Sequence, residues 1–547
     1  MAKKVKQDSI FQNTMSNQKL GIDLVLVLVI AMPFIWVILT NVYLPVTDES
    51  YQLEAAMNLI AGHGYTASRE LGFDLAQINY QYLTAWPMGY SALLALVMQV
   101  GINLNDAAIL TKTIGVIISI LNWYSLSKAG NLKLPCRLIF AAFLGFYVAI
   151  VATSASDLIV FAIFPFVINK LIYLKENREK LEIKSQVKYL ILLGATLGVA
   201  VCFKYSALPM ILIGFLMVLY IYQGKEIGVV LNRLFLYSTP AVAVISCLFI
   251  SNYLAAKSIS TITDIPIHKE IALFRISWLT SMASGLFVDA LIIPKIIFEF
   301  LTNNVDEGIS KVVENTYKVV AVVVALFVLS KRELSESWLK IVGSISAVSV
   351  ILFLALTTML FYNDTEYNPL QHGRYYQYLI PLLVLATLTT IQSSVANSSG
   401  KLIIRITVVV IISFFAVTTI KYSYYLNCIM QTEGLGSEIA KVEVSRILEE
   451  AYPNGVVVFA EGDSFHSAPW KGMYPIHYQT PERKELNFSK RTLVILICNI
   501  ESSRRGLKQK NGCEESGFAL LAKAEVFTEI KITSQKTLFW KVMEKNI

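Results

Sequence analysis

Apolar runs of about 20 residues, the length of a helix that crosses a bilayer, recur along most of the chain and alternate with short polar segments. They predict eleven spans, at residues 22–40, 107–127, 138–152, 158–174, 189–203, 207–222, 234–254, 317–329, 341–360, 376–390 and 406–420. Two further apolar segments, residues 91–100 and 286–300, are predicted to dip into the membrane from the outer side and return.

Basic residues decide the predicted orientation. They concentrate at the N-terminus and in alternate loops, at residues 128–137, 170–188, 225–233, 331–332 and 401–405. Short loops rich in Lys and Arg stay on the cytoplasmic side of a membrane. The N-terminus is therefore predicted to be cytoplasmic. Counting residues 91–100 as a full span would move several basic loops outside, so we interpret that segment as a dip.

Composition supports a multi-pass membrane protein of the mostly α class. Of the 547 residues, 55% are hydrophobic and only 16% are charged, with a mean hydropathy of +0.57. The net charge of +8 follows from the basic loops and indicates topology, so no nucleic-acid partner is expected. The six cysteines form no Cys-x-x-Cys pair, which argues against a cysteine metal or redox motif.

The composition changes after the last predicted span. Residues 437–451 have the pattern of an amphipathic helix, and residues 456–460 and 493–498 that of buried strands. Residues 525–532 and 537–542 alternate like a hairpin. We therefore expect a transmembrane domain at residues 1–420 and a small extracytoplasmic α/β domain at residues 421–547.

The segment after the first span contains the first candidate catalytic residues, on a predicted helix. Thr47 is a residue type that caps the start of a helix, and Gly62 and Gly64 are typical of a helix end. Asp48 and Glu49 fall in the first turn, at the membrane boundary. Acids at that position also complement a helix dipole without any catalytic role.

Other polar residues fall on the same predicted side. Asp157 ends the third span, Lys204 ends the fifth, and His372 and Arg374 precede a late span, with His268 in a long outer loop. Each has an alternative interpretation: Asp157 starts the next helix, Lys204 extends to the membrane interface, and Arg374 anchors its helix in lipid phosphates. A lone histidine such as His268 in a long loop indicates little. Together they gather acids and bases at one membrane face, where charges are costly and usually functional.

This set of groups suits the transfer of a sugar from a lipid phosphate. Cations such as Lys204 and Arg374 would stabilise the departing phosphate. A carboxylate such as Asp48 would orient or deprotonate the incoming hydroxyl. The dips beside the outer loops would supply an apolar groove for the lipid tail.

Five short motifs then follow one another along the chain: Asp48-Glu49 with a helix ending in Gly-x-Gly, Pro87-Met88-Gly89-Tyr90 before the dip, an acid at the outer end of the third span, Lys204 within Phe-Lys-Tyr-Ser-Ala-Leu-Pro, and His372-Gly373-Arg374-Tyr375. This order resembles the integral-membrane glycosyltransferases of the C-type fold, the class that includes protein O-mannosyltransferases and the lipid A aminoarabinose transferase. The resemblance covers residues 48–209 and 367–382.

The resemblance implies roles for individual residues. Asp48 matches the proposed catalytic base, and Glu49 and Asp157 complete the expected catalytic set. Lys204 and Arg374 match residues that contact the lipid phosphate, and the same motif places His372 beside Arg374.

The chain departs from the family where some members carry Lys-Pro-Pro before the dip, since it has Ala85-Trp86-Pro87-Met88 there. Some members of the fold use a divalent metal ion and others do not. Candidate ligands for such an ion are Asp48, Asp157 and His268, with Glu49 beside them.

The expected function is a glycosyltransferase, of the hexosyl or pentosyl type, that uses a polyprenyl-phosphate-linked sugar at the outer face of the cell membrane. Its partners would be that donor, a glycan, lipid or protein acceptor, and the bilayer. A lipid-linked oligosaccharide polymerase or ligase is the alternative, but such enzymes keep their main outer loop late in the chain. A transporter would place charges near the middle of its spans and often repeat internally.

Overall fold

The structure is a computed structural model that describes residues 32, 47–68, 80–151, 154–258, 281–282, 285, 338–361 and 373–394, together with five strands between residues 456 and 546. Four apolar segments predicted from the sequence lie outside this part of the chain, at residues 22–40 (apart from residue 32), 286–300, 317–329 and 406–420. The predicted helix at residues 437–451 lies outside it too.

The first described element is the helix that begins at Thr47. Helix α1 spans Thr47–Ile60 and is followed by Gly62 and Gly64, whose φ angles of 85° and 77° lie in the left-handed region. Glycine enters this region without steric cost, so the predicted helix end is confirmed. A short antiparallel pair follows, β1 (Thr66–Ser68) with β2 (Tyr80–Tyr82).

The short apolar segment at residues 91–100 forms helix α2, Gly89–Gln99, between this pair and the long helices. The backbone of Gly89 lies directly on the carbonyl group of Cys202, so that a side chain there would overlap it.

Eight further helices form the bundle: α3 (Leu104–Ala129), α4 (Leu134–Val151), α5 (Ala155–Asn177), α6 (Ile183–Phe203), α7 (Leu208–Tyr222), α8 (Ile227–Ala256), α9 (Trp338–Phe361) and α10 (Leu379–Ser394). Each contains most of one predicted span. In the described part of the chain, six helices are long and apolar enough to cross a membrane: α3, α5, α6, α8, α9 and α7 with its preceding 3₁₀ turn, Tyr205–Ala207.

Helices α6 and α8 approach closely because α6 has glycines on the facing side. A Cβ at Gly194 would overlap the carbonyl oxygen of Tyr237, and a Cβ at Gly198 would come within 2.9 Å of the Cβ of Val244. The Tyr237 hydroxyl donates to the carbonyl of Ile211 on α7 at 3.0 Å, where Gly214 leaves room for its ring. Small residues permit such approach between membrane helices.

Helices α3 and α5 are joined by polar contacts around a proline. Pro165 lies inside α5 and has no N–H to offer the carbonyl of Phe161. The indole N–H of Trp123 donates to that carbonyl at 3.2 Å, and Asn122 Nδ2 donates to the next one, Ala162, at 2.9 Å. Side chains of α3 therefore satisfy α5 where its own ladder is interrupted.

Five strands are described in the C-terminal part: β3 (Val456–Ala460), β4 (Ile476–His477), β5 (Leu493–Glu501), β6 (Thr528–Lys531) and β7 (Leu538–Asn546). Their order in the sheet is β4-β3-β5-β7-β6. The three strands β4, β3 and β5 are parallel, and β7 runs antiparallel to β5 and β6. The hairpin predicted from alternation corresponds to β6 and β7.

Candidate active site

One end of the bundle gathers the elements that carry the predicted site residues. A buried apolar cluster joins Leu53 of α1, Tyr90 of α2, Ala107 at the start of α3 and Ala155 at the start of α5, with Phe203 at the end of α6 packed against it. We call this region the Lys204 end of the bundle. It brings the helix that contains Asp48 close to the starts of α3 and α5.

Asp157 and Lys204 form a buried ion pair at this end. The Lys204 ammonium lies 3.0 Å from Asp157 Oδ2, and the two residues are 7% and 5% exposed. Lys204 is the single extended residue between α6 and the 3₁₀ turn that leads into α7. Asp157 lies in the first turn of α5, and its second oxygen, Oδ1, accepts no hydrogen bond from the described residues. The carboxylate therefore orients the ammonium and keeps capacity for another donor.

The segment that follows Arg374 lies beside this pair. Gln377 Nε2 approaches the main-chain carbonyl of Asp157 at 3.5 Å, and the Tyr378 hydroxyl donates to the carbonyl of Ser206 at 2.7 Å. A 3₁₀ turn, Gly373–Tyr376, carries Arg374 immediately before them. Arg374 thus lies three residues before the segment that contacts Asp157 and Ser206. Its side chain, and His372 altogether, lie outside the described part.

Glu49 and Lys112 form a second buried ion pair. The Lys112 ammonium lies 3.1 Å from Glu49 Oε2, with both side chains almost completely buried. The Tyr90 hydroxyl donates to Glu49 Oε1 at 3.0 Å. This carboxylate joins α1 to α2 and α3, and so fixes the first turn of α1, where Asp48 also lies. The structure describes the main chain of Asp48 but not its side chain.

The connection from β2 to α2 covers the end of α6. The Tyr205 hydroxyl donates to the carbonyl of Thr84 at 3.2 Å and accepts from Asn252 Nδ2 at 3.0 Å. Burial raises the pKa of Tyr65 well above its ordinary value, so its hydroxyl stays protonated and donates to the carbonyl of Trp86 at 2.9 Å. Trp86, which departs from the family motif, is therefore held next to the Lys204 end.

An apolar groove of about 420 Å³ opens between α2, α3 and α5, and its lining includes Thr111, next to Lys112 in the chain. Helices α2, α3 and α5 line it almost entirely with aliphatic and aromatic side chains, among them Leu93, Ile114, Ile159 and Phe166. Ile159 lies in the same part of α5 as Asp157. The short helix α2 thus forms one wall of an apolar groove, as expected for the first dip.

A metal centre receives no geometric support from the residues that the structure describes. Among them, no group of three or more His, Cys, Asp and Glu side chains could hold an ion. Of the candidate ligands, the side chains of Asp157 and Glu49 are described, and they are paired with Lys204 and Lys112. His268 lies outside the described residues.

Four residues of this region were not predicted from the sequence: Lys112, Ser206, Gln377 and Tyr378. For Lys112 a signal was present, because a lysine inside an apolar run is costly unless it meets an acid. Gln377 and Tyr378 follow directly on the Arg374 motif. Nothing in the sequence indicates that they contact the elements of Asp157 and Lys204.

The bundle shares its fold with a C-type membrane glycosyltransferase of known structure. The crystal structure of ArnT from Cupriavidus metallidurans bound to undecaprenyl phosphate superimposes with a TM-score of 0.55 at 12% identity, over 95% of this chain and 97% of that chain. The apo form of the same protein gives 0.55 at 11% identity, over the same shares.

The archaeal oligosaccharyltransferase AglB from Archaeoglobus fulgidus, in complex with an inhibitory peptide and a dolichol-phosphate, gives a TM-score of 0.37 at 12% identity, over 87% of this chain and 69% of that chain. No family model matches the chain, and no curated protein matches it in sequence. The resemblance drawn from the motifs is thereby confirmed for the fold, and the chain is a multi-pass membrane protein.

Proposed function

We propose that this protein is a glycosyltransferase that moves a sugar from a polyprenyl monophosphate carrier to an exported acceptor at the outer face of the cell membrane. The observation that carries the proposal is the buried Asp157–Lys204 pair at one end of a bundle that crosses the membrane. The fold of ArnT, solved with undecaprenyl phosphate, supports a lipid phosphate as the carrier.

In the proposed reaction, an oxygen of the acceptor forms a bond to C1 of the sugar. The bond from C1 to the phosphate oxygen breaks, and its electron pair leaves with the lipid phosphate. Lys204 and Arg374 would stabilise that phosphate, with His372 beside them. Asp48 would take the proton of the acceptor hydroxyl.

The two remaining acids have different surroundings. Asp157 orients Lys204 and has one oxygen without a hydrogen-bond partner in the described part of the chain, so it would also contact donor or acceptor. Glu49 is engaged by Lys112 and Tyr90. We propose that Glu49 supports catalysis by holding Asp48 in place.

The carrier needs an apolar surface for its tail. The groove between α2, α3 and α5 is lined by apolar side chains, and Thr111 and Ile159 in its lining lie close along their helices to Lys112 and Asp157. We place the first isoprene units of the donor there. A lipid-linked oligosaccharide polymerase or ligase would also need such a groove, but those enzymes keep their main outer loop late in the chain.

The proposed topology has eleven spans, a cytoplasmic N-terminus and an extracytoplasmic α/β domain at residues 421–547. Single cysteines introduced at positions 70, 180 and 460 into a cysteine-free background test it. Positions 70 and 460 should react with an impermeant maleimide from outside, and position 180 only after permeabilisation. Labelling of position 70 or 460 from the cytoplasm alone would contradict the proposed position of the site at the outer face.

The function itself is tested with purified protein in nanodiscs and a panel of radiolabelled polyprenyl-phosphate sugars. Asp48→Asn should lower turnover by at least about 100-fold, the contribution of a general base, and leave donor binding unchanged. Asp106→Asn is the matched control, because Asp106 is an exposed acid in the first turn of α3. Equal turnover by Asp48→Asn and wild type would refute the role of Asp48. The same assay with EDTA and added Mg²⁺ or Mn²⁺ decides whether a divalent ion is needed.

A further inference from the structure

A cluster of two arginines and a tyrosine lies at the end of the bundle opposite Lys204. It comprises Arg178 at the end of α5, Tyr222 at the end of α7 and Arg233 in the first turns of α8. Gln186, near the start of α6, supports it. The helical rise places Lys204 about 27 Å from Gln186 along α6, close to the thickness of a bilayer core. The cluster therefore lies at the other membrane face.

The aromatic ring at the centre of this cluster is held in place. The Tyr222 hydroxyl donates to Gln186 Oε1 at 2.9 Å, and Gln186 Nε2 donates to the carbonyls of Arg178 and Leu181 at 2.8 and 3.0 Å. The guanidinium carbons of Arg233 and Arg178 lie 5.7 and 6.0 Å from the ring centroid. Both cations thus converge on one fixed tyrosine.

Arg233 is the unusual member of the cluster. It is only 8% exposed, yet its Nε has no hydrogen-bond partner within the described ranges. None of the ion pairs found there involves it. A buried guanidinium without an acid is costly, because the lost hydration is not replaced. Arg178 is better satisfied, since it donates to the carbonyl of Ile221 and lies 3.7 Å from the exposed carboxylate of Glu179.

We propose that Arg233 and Arg178 bind the phosphate of an anionic phospholipid. Two convergent guanidinium groups supply paired N–H donors, the geometry that phosphate oxygens prefer. The site lies at the end of helices that cross the membrane, where head groups lie, and basic pockets between such helices bind anionic lipids on the cytoplasmic side.

The surroundings favour a lipid over free phosphate as the source of that group. Ile227, Leu231 and Phe235 recur every four residues along α8, on the side of the helix away from Arg233, and are 74%, 59% and 67% exposed. They offer apolar surface to acyl chains at the same depth along α8 as Arg233. A soluble anion would gain nothing from them. Lipid binding by Arg233 and Arg178 is independent of the proposed reaction.

Native mass spectrometry of the purified full-length protein tests the site. The detergent micelles contain phosphatidylglycerol, phosphatidylcholine or, in a separate arm, inorganic phosphate alone. We expect one tightly retained phosphatidylglycerol and little phosphatidylcholine. Arg233→Gln should weaken that retention about 10-fold or more, the effect of losing a charge-assisted contact. Lys188→Gln, at an exposed position of α6, should leave it unchanged.

Folding is checked separately for each variant by gel filtration. Arg233→Lys keeps the charge but loses the planar donor pair, so it should retain phosphatidylglycerol better than Arg233→Gln and less well than wild type. Equal retention of phosphatidylglycerol by wild type and Arg233→Gln would overturn the proposal, as would equal retention of the two lipids. Binding of inorganic phosphate that phosphatidylglycerol fails to displace would overturn the lipid assignment.

Discussion

The ammonium group of Lys112 lies 3.1 Å from the carboxylate of Glu49 in surroundings that leave both side chains almost without exposure. Removing one partner of such a pair leaves the other buried and uncompensated. The pair also fixes the first turn of α1 against α3. Its integrity therefore affects both stability and the position of Asp48.

Lys112→Met is expected to destabilise the protein by about 3–5 kcal/mol, because Glu49 then stays buried without a counter-ion. Thermal unfolding in detergent, followed by circular dichroism, measures the loss. The double variant Lys112→Met/Glu49→Gln should recover a large part of it, since no buried charge remains. Lys184→Met, at an exposed site, serves as the control. Identical melting of Lys112→Met and wild type would contradict the importance of the pair.

Lys204→Met is expected to weaken donor binding by about 10- to 100-fold, the loss of one charge-assisted hydrogen bond to phosphate. Because this variant also leaves Asp157 without its partner, the informative comparison is Lys204→Met/Asp157→Asn. That double variant carries no uncompensated charge and should melt close to wild type, yet bind a polyprenyl-phosphate sugar as weakly as the single variant. Donor binding at wild-type strength in the double variant would exclude Lys204 as a phosphate ligand.

Trp123→Phe is expected to cost about 1–3 kcal/mol, because the carbonyl of Phe161 then loses its donor inside the bundle. The cost should be clearly smaller in a Pro165→Ala background. There, the new N–H at position 165 bonds to Phe161 within α5. A double-mutant cycle from thermal melts measures the difference. Additive effects of the two substitutions would show that the indole N–H does not compensate for the proline.

Gly194→Val is expected to destabilise by at least about 1–3 kcal/mol, because its side chain would collide with the carbonyl of Tyr237 and separate α6 from α8. Gly228→Val is the matched control, since α8 leaves open space around Gly228. Melting temperatures of the two variants in the same detergent give the comparison. A Gly194→Val variant as stable as Gly228→Val would argue against the close contact.

The apolar runs predicted the positions of the long helices well, because a helix that crosses a bilayer needs an apolar run of matching length. The ends differ where local chemistry extends a helix beyond the apolar run. Helix α3 begins at Leu104 because the Asn103 side chain accepts from the main-chain N–H of Asp106. Helix α4 begins at Leu134 and includes Pro135, since a proline fits the first turn of a helix.

The site was predictable only as a collection of residues at one membrane face. Counting spans put Asp157 and Lys204 on the same side, but no pattern in the sequence tells which side of α5 meets the end of α6. That choice follows from the packing of buried side chains along α5 and α6. Lys112 was overlooked because one lysine barely changes the mean hydropathy of a long apolar run.

The contact between Gly89 and Cys202 has a mechanical consequence. Helix α2 rests on the last turn of α6 through main-chain atoms, with no flexible side chain between them to absorb a displacement. Tilting α2 therefore shifts the residue that follows that turn, which is Lys204. A displacement of the groove wall and a displacement of the buried ammonium are therefore coupled.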